Sequence, residues 1–144
     1  MSDYLVIAHQ TASSPELIIG LTDLCQSDPE ARFVLVVPET PVIELEGARE
    51  GDSWLISSQV ALEARADLEA AGLTVLEARV GDRSPLKAAE AEFRHGARAY
   101  QGAVVCTFPP GISRWLGLDL PRQLERKLSV PVSHIVANRA RVSV

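Results

Sequence analysis

Short apolar segments alternate along the chain with longer segments in which apolar residues recur every three or four positions. Four of the short segments are nearly continuous and rich in valine or isoleucine: residues 4–8, 33–37, 103–106 and 130–136. Such runs are typical of strands that helices cover on both faces, as in a parallel sheet. A fifth segment, residues 73–80, alternates apolar and polar residues, which predicts a strand nearer the edge of the sheet.

Four segments between these strands carry helix signals. Ser14 and Ser84 each precede a proline, which predicts two helix starts, because serine caps a helix and proline suits its first turn. Another helix is predicted over residues 53–71, ended by Gly72, and the last begins at Asp119. The stripe that would pack the helix over 53–71 against the sheet comprises Ala61, Ala64, Leu68 and Ala71.

The alternation of strand and helix along the whole chain predicts an α/β domain with a parallel sheet and right-handed crossovers. A length of 144 residues suits a single core, so one domain is expected over residues 1–144. Residues 39–52 interrupt the alternation with acids, glycines and a proline. This composition predicts a mobile surface loop, and the alternative is a lid over a ligand.

Charge and composition narrow the classes of function. Fourteen basic residues against 19 acidic ones give a net charge of −5, which disfavours nucleic acid and anionic membranes as partners. No segment approaches the roughly 20 apolar residues of a membrane span, and the first residues lack the pattern of a secretory signal. Two distant cysteines and three isolated histidines predict neither disulfides nor a metal site. We therefore expect a cytoplasmic protein that holds no metal.

A ligand of an open parallel sheet binds beyond the carboxyl ends of the strands, where the strand order reverses. Two loops compete for this place: residues 9–13, and residues 107–115, which combine a hydroxyl, aromatic rings and an arginine. The predicted ligand-binding residues lie at these strand ends or in the segments that follow them: Ala8, His9, Gln10, Val37, Thr107, Pro109, Gly111, Arg114 and Asp119. The alternative for the longer loop is a rigid turn that only covers the edge of the sheet.

Familiar catalytic and nucleotide-binding motifs do not fit the chain. Neither the glycine fingerprint of dinucleotide sites nor a P-loop is present. Cys106 and Arg114 are too far apart for a thiolate phosphatase loop, and Pro109 and Pro110 remove amide donors that such a loop would aim at phosphate. Ser113 lacks the second glycine of a nucleophile elbow. No catalytic residue is predicted, and a small-molecule hydrolase centred on Cys106 or Ser113 is a weaker alternative.

Two local signatures mark the second half of the chain. Residues 80–89, Val-Gly-Asp-Arg-Ser-Pro-Leu-Lys-Ala-Ala, form a turn between a strand and a helix, and Val130-Pro131-Val132 introduces the closing strand after a long loop and a helix. Together with the order of elements, these signatures resemble the universal stress protein family over essentially the whole chain. The resemblance implies a Rossmann-like, doubly wound, five-stranded parallel sheet of order 3-2-1-4-5, like that of the adenine-nucleotide alpha hydrolases. It also implies a role in stress responses and a homodimer formed along the last strand.

One branch of that family binds ATP through a motif of three glycines and a serine or threonine, which this chain lacks. By the family's spacing, the motif falls here on Cys106, Pro109, Asp119 and Leu120, none of which matches. The carboxylate of Asp119 would repel a phosphate, so Asp119 is interpreted as the N-cap of the last helix, with a ligand-facing acid as its alternative role. His9 stands where that branch has an aspartate.

The sequence thus predicts a non-catalytic binding or interaction module with a diverged nucleotide pocket and no expected cofactor. It would be a homodimer through its last strand, with a small-molecule ligand as a further candidate partner. The alternative is a protein that binds ATP or another adenine nucleotide through nonstandard loops after the first and fourth strands, with slow ATP hydrolysis.

Overall fold

Strands and helices alternate from one end of the described chain to the other. The computed structural model describes residues 1–9, 11–39, 52–96, 98–108 and 119–137. The elements within these residues are β1 (Ser2–Ile7), α1 (Pro15–Ser27), β2 (Ala31–Pro38), α2 (Asp52–Ala70), β3 (Val75–Gly81), α3 (Pro85–His95), β4 (Tyr100–Thr107), α4 (Leu120–Leu128) and β5 (Val132–Val136). Most of the predicted loop over 39–52 lies outside the described residues.

The five strands form one parallel sheet in the order β3-β2-β1-β4-β5. Tyr4 of β1 pairs with Phe33 of β2, and Leu5 pairs with Ala103 of β4. The strand order implied by the resemblance is confirmed, as is the position of the alternating segment at an edge. The prediction for residues 130–136 was wrong, because β5 is not covered on both faces: it lies at the other edge, and three of its five residues are exposed. The order reverses between β1 and β4, so the loops that follow these two strands lead to opposite faces of the sheet.

Helices cover both faces of the sheet, and each face has its own core. Leu17 of α1 and Leu68 of α2 pack with Phe33 on one face, whereas Leu124 of α4 packs with Leu5 on the other. Consecutive side chains of a strand point to opposite faces. The inner strands therefore bury side chains of both orientations, which explains why their sequences are nearly continuous apolar runs.

Serine side chains begin two of the helices as predicted. The Ser14 hydroxyl accepts a hydrogen bond from the Leu17 amide at 3.2 Å, and the Ser84 hydroxyl accepts one from the Lys87 amide at 3.3 Å. Each bond satisfies one of the amides that a helix start leaves without an intrahelical partner. The signals read from the sequence at these two positions are confirmed.

The end of α2 differs slightly from the prediction. The helix ends at Ala70, and Gly72 adopts a φ of +90°, which lets the Leu73 amide donate to the Leu68 carbonyl at 3.1 Å. Ala71 lies in this turn and is exposed, so its assignment to the buried stripe was wrong. The stripe stops at Leu68 because the turn rotates the chain away from the sheet.

No helix in the described ranges has the length and hydropathy of a membrane span.

An ion-pair network lies where the amino-terminal part of the sheet meets α3. Its members are Arg32, Arg79, Arg98, Asp3, Glu77 and Glu92. Arg98 links Asp3 at 3.9 Å to Glu77 at 3.3 Å, and Arg79 links Glu77 at 2.7 Å to Glu92 at 3.2 Å. Each acid has an arginine partner, so the network satisfies side chains of which Asp3 and Glu92 are largely buried.

Candidate functional site

The carboxyl ends of β1 and β4 meet at the point where the strand order reverses. Ala8 follows β1 directly, and its amide donates to the Val36 carbonyl of β2 at 3.3 Å. His9 comes next, and its carbonyl accepts a hydrogen bond from the Ala12 amide at 3.0 Å, which closes a tight turn into α1. Thr107 is the last residue of β4. The fold thus brings three of the predicted site residues together at the carboxyl ends of the strands.

The loop after β1 is fastened to the end of β4. The Thr11 hydroxyl donates to the Cys106 carbonyl at 3.0 Å, and the Ser14 hydroxyl lies 3.8 Å from the Cys106 sulfur. Cys106 is 1% exposed. Burial raises the pKa of its thiol, because a thiolate is disfavoured away from water. Cys106 is therefore a structural residue between two elements and is poorly suited to act as a nucleophile.

Glu16, in the first turn of α1, lies beside this cysteine. Its negative charge adds to the rise in the pKa of Cys106 that burial causes. One carboxylate oxygen, Oε1, is buried and has no hydrogen-bond partner among the described residues. The carboxylate could accept a hydrogen bond from an amino or hydroxyl group and would repel a phosphate. Glu16 was not among the predicted site residues, because the helix dipole alone makes an acid common in the first turn of a helix.

Thr107 is joined to the edge strand β5. Its hydroxyl lies 2.7 Å from Nε2 of His134, and its carbonyl accepts the Ala137 amide at 2.7 Å. Either the hydroxyl or the ring nitrogen is the donor, depending on the tautomer of the ring. Burial lowers the pKa of His134, so the ring is mostly neutral at pH 7. His134 is isolated in the sequence, and its partner Thr107 could not be predicted because it lies 27 positions away.

His9 occupies the position of the aspartate in the ATP-binding branch, yet it has a different charge. The residue is half-buried, and burial lowers the pKa of its imidazole. A neutral imidazole has one donor and one acceptor nitrogen, whereas an aspartate only accepts. The side chain of His9, at the end of β1, is therefore mostly neutral at pH 7.

A second polar cluster lies beyond β2 and β3. The Glu39 amide donates to the Gly81 carbonyl at 3.1 Å, and its carboxylate accepts a hydrogen bond from the Ser53 hydroxyl. Arg83 lies 3.7 Å from the same carboxylate. Ser53 and Ser57 are buried on the first two turns of α2. Glu39 was predicted to begin a mobile surface loop, and this cluster was not predicted.

Val37 and Ala8 lie at the carboxyl ends of their strands and have apolar side chains. Both are fully buried in the core on the side of α1 and α2. Thr107 lies two and four positions after Val105 and Ala103 on β4, so its side chain points to the same face as theirs, which is the face of α3 and α4. Val37, Ala8 and Thr107 therefore all lie at the carboxyl ends of the strands, but their side chains do not line a single pocket on one face of the sheet.

Asp119 occupies the N-cap position of α4, as predicted, and its carbonyl accepts a hydrogen bond from the Gln123 amide at 3.1 Å, but its side chain does not cap the helix. It directly precedes α4, but its backbone is left-handed, with φ 55° and ψ 41°, and its side chain makes no capping hydrogen bond. An N-cap residue normally has an extended backbone, which aims its oxygen at the amides of the first turn. The exposed carboxylate instead lies 3.8 Å from Arg122. The next residue, Leu120, is 2% exposed in the core on the side of α3 and α4.

The remaining predicted site residues, Gln10, Pro109, Gly111 and Arg114, lie outside the described residues. Within the described part of the chain, no group of three or more His, Cys, Asp and Glu side chains is arranged to hold a metal ion.

Solved structures with the same arrangement of elements are universal stress proteins. One is a universal stress protein in complex with cAMP, with a TM-score of 0.57 and 18% identity, matched over 94% of this chain and 97% of the other. The chain has the universal stress protein fold.

Two further structures extend this comparison. A universal stress protein family member from Burkholderia pseudomallei has a TM-score of 0.61 and 17% identity over 94% of this chain and 96% of its own. One from Archaeoglobus fulgidus has a TM-score of 0.58 and 12% identity over 94% and 93%. The chain matches no protein-family model and no curated protein sequence. The similarity to universal stress proteins is therefore one of structure at low sequence identity.

Proposed function

We propose that the protein is a divergent universal stress protein that acts as a non-catalytic binding module and does not retain the ATP site of the ATP-binding branch. Leu120 carries this proposal. It stands where that branch has the serine or threonine of its phosphate loop, and its side chain is 2% exposed within the core. A buried leucine can neither donate a hydrogen bond to a phosphate nor reach one without unpacking the core.

Negative charge around the reversal point supports the same proposal. Glu16 has a buried carboxylate oxygen beside Cys106, and Asp119 has an exposed carboxylate at the start of α4. Arg122 offsets the charge of Asp119 only at 3.8 Å and on the surface. A triphosphate would have to approach these carboxylates, and like charges repel.

The absence of a catalytic role is supported by the state of the candidate nucleophile. Cys106 is buried, its thiol pKa is raised by burial, and its sulfur faces the Ser14 hydroxyl and the Thr11 carbonyl. A reactive thiol needs a lowered pKa and access to substrate. We propose a cytoplasmic role in stress responses through binding of a small molecule or a partner, as a homodimer formed along β5.

A second candidate function is the binding of an adenine nucleotide with fewer phosphates. The observation that favours it is the universal stress protein of the same fold that is in complex with cAMP. His9 and Thr107 would supply neutral hydrogen-bonding groups at the ends of β1 and β4. A cyclic monophosphate has a single negative charge, so the nearby carboxylates oppose it less than they oppose ATP.

Thermal unfolding with and without nucleotide tests these proposals. A ligand present at 100 times its Kd stabilises a protein by about 2.7 kcal/mol, which raises Tm by several degrees. We expect millimolar ATP with magnesium to leave Tm unchanged, and a clear rise would overturn the main proposal. A rise with cAMP alone would establish the second candidate. In that case, His9→Ala should abolish the rise, whereas Leu62→Ala, on the exposed face of α2, should retain it.

A further inference from the structure

The carboxyl end of β5 is fastened to β4 through one residue, Thr107. Its carbonyl accepts the amide of Ala137, which directly follows β5, at 2.7 Å. Its hydroxyl lies 2.7 Å from Nε2 of His134, in the middle of β5. Histidine is the side chain that titrates close to neutral pH. A proton on His134 can therefore change how the end of β5 is held.

The hydroxyl of Thr107 has one hydrogen-bond partner among the described residues, which is Nε2 of His134. Thr107 is 2% exposed, so its hydroxyl proton is largely kept from water. A buried donor that loses its acceptor costs free energy. The contact therefore favours a neutral ring that carries its proton on Nδ1 and accepts the hydroxyl proton at Nε2.

Protonation of His134 reverses the polarity of this contact. Both nitrogens of an imidazolium are donors, so Nε2 would donate to the Thr107 oxygen, and the hydroxyl proton would lose its acceptor. The ring is exposed, and water stabilises a charge on it. Water around the outer part of the ring does not replace the acceptor of the buried hydroxyl, however. The cost of protonation thus arises at Thr107 rather than at the ring.

The charged groups of neighbouring elements do not offset this cost. α1 packs on the opposite face of β5, where Ile135 meets Gly20. β4 has no charged side chain, and its titratable residues Tyr100 and Cys106 lie at its start and on the opposite face. Burial lowers the pKa of His134, and no charged group within the described residues contributes to that shift. α4 lies on the His134 side, and its charged side chains, together with the residue before it, are exposed: Asp119, Arg122, Glu125, Arg126 and Lys127.

We propose that Thr107 and His134 form a proton-controlled latch, which fastens the carboxyl end of β5 to β4 while His134 is neutral and loosens when His134 is protonated. The latch involves neither a ligand nor a second copy of the chain, so it goes beyond the function proposed above. It lies at the carboxyl ends of the strands, where the ligand site is proposed. Acid conditions would therefore loosen the end of β4 that belongs to that site.

The direction of the pH effect follows from linkage. The closed latch binds a proton on His134 less well than the open strand end does, so opening takes up a proton. The latch is fully stable above the ordinary pKa of histidine, about 6.5, and weakens as the pH falls from there toward the lower pKa of the closed state. One proton changes the opening equilibrium by at most about tenfold per pH unit.

Amide hydrogen exchange followed by NMR between pH 8 and pH 5, corrected for the intrinsic exchange rate, measures the opening. The Ala137 amide reports on the latch, and its protection factor should fall below about pH 6.5. The Phe33 amide, which donates to the Thr74 carbonyl at 2.9 Å near the start of β2, should keep its protection. Nitrogen-15 shifts of the His134 ring identify the tautomer, and Nε2 should carry no proton at pH 8.

Variants separate the latch from general effects of pH. His134→Gln removes the titrating group, so the protection of Ala137 should not change between pH 8 and pH 5. Thr107→Val removes the hydroxyl and should move the pKa of His134 back toward its ordinary value, whereas Thr107→Ser should keep the pKa lowered. Thr11→Val is the matched control, because it removes a hydroxyl that bonds to the Cys106 carbonyl, and it should leave the pKa of His134 unchanged.

Three results would each overturn the latch. The first is protection of Ala137 that stays constant down to pH 5. The second is a proton on Nε2 of the neutral ring, because the hydroxyl could not then donate to it. The third is a pH dependence of Ala137 that persists in His134→Gln, because another group would then control the opening. None of these results bears on nucleotide binding, and a rise in Tm with ATP would overturn the proposed function without affecting the latch.

Discussion

The two edges of the sheet are built from different kinds of residue. At one edge, β3 carries Glu77 and Arg79, which pair at 2.7 Å, and Arg79 also pairs with Glu92 of α3 at 3.2 Å. At the other edge, β5 reads Val-Ser-His-Ile-Val and contains no residue that is charged at neutral pH apart from any protonated fraction of His134. Charged side chains on an edge strand oppose pairing with another strand, because the charges would have to lose water.

This difference is the reason that the homodimer is proposed along β5 and not along β3. Pairing at β3 would disturb ion pairs that also anchor α3, whereas pairing at β5 would cover Val136, which is 42% exposed. The two edges also differ in how they are attached. β5 lies between α1, where Gly20 makes room for Ile135, and α4, where Leu124 is fully buried. Apolar packing thus holds β5, and ion pairs add to the packing that holds β3.

The largest expected effect comes from weakening the packing behind β5. Leu124→Ala should lower the free energy of unfolding by about 2–5 kcal/mol, because it leaves a cavity in the core cluster against which Val132 packs. Urea denaturation followed by circular dichroism measures the change. Leu62→Ala, at a residue that is 63% exposed, is the matched control and should change stability by less than about 0.5 kcal/mol. Equal effects of the two variants would contradict the assignment of Leu124 to the core.

A smaller effect is expected from making β5 resemble β3. Val136→Lys places a charge on the free edge and should weaken self-association at least about tenfold, which corresponds to about 1.4 kcal/mol, without unfolding the monomer. Light scattering over a range of concentrations measures the change. Leu62→Lys should leave the dimer intact. If Leu62→Lys dissociates the dimer and Val136→Lys does not, then the interface is the exposed apolar face of α2, which includes Trp54 and Leu55.

The smallest effect is expected at the ion pairs of β3. Arg79→Ala removes contacts to Glu77 and Glu92, but Arg79 and Glu77 are both partly exposed. The exposed pair with Glu77 contributes about 1 kcal/mol or less and is screened by salt, and the largely buried Glu92 keeps the Tyr100 hydroxyl as a partner at 3.3 Å. The loss in unfolding free energy should therefore shrink when denaturation is repeated in 1 M sodium chloride. A loss that is large and independent of salt would show that packing by the arginine stem, rather than its charge, holds β3.

The prediction of the fold succeeded where local pattern and fold agree. The apolar runs around Phe33 and Val104 marked inner strands, and the Ser-Pro pairs at Ser14 and Ser84 marked helix starts. These signals are local, because alternation and capping involve residues a few positions apart. The strand order 3-2-1-4-5 came from the resemblance to a family, and the structure confirms it.

The contacts of the candidate site could not be predicted in the same way. Thr11 and Cys106 are 95 positions apart, and Thr107 and His134 are 27 apart. No local pattern links such residues, because strand order and register decide which of them meet. Asp119 is a second case in which the sequence does not specify a contact. Its residue type suits a helix cap, but the backbone at its position is left-handed, and residue type alone does not specify that conformation.

The sequence by itself determined the alternation of elements, the edge position of the alternating segment 73–80 and the absence of the ATP motif, since all of these are properties of neighbouring or regularly spaced residues. It did not determine the edge position of β5, whose apolar run resembles those of the inner strands. Only the tertiary structure decided that Leu120 is buried, that Glu16 lies beside Cys106, and that His134 of β5 bonds to Thr107 of β4. The physical reason is that burial and pairing depend on which elements the sheet brings side by side, and these elements are distant in the chain.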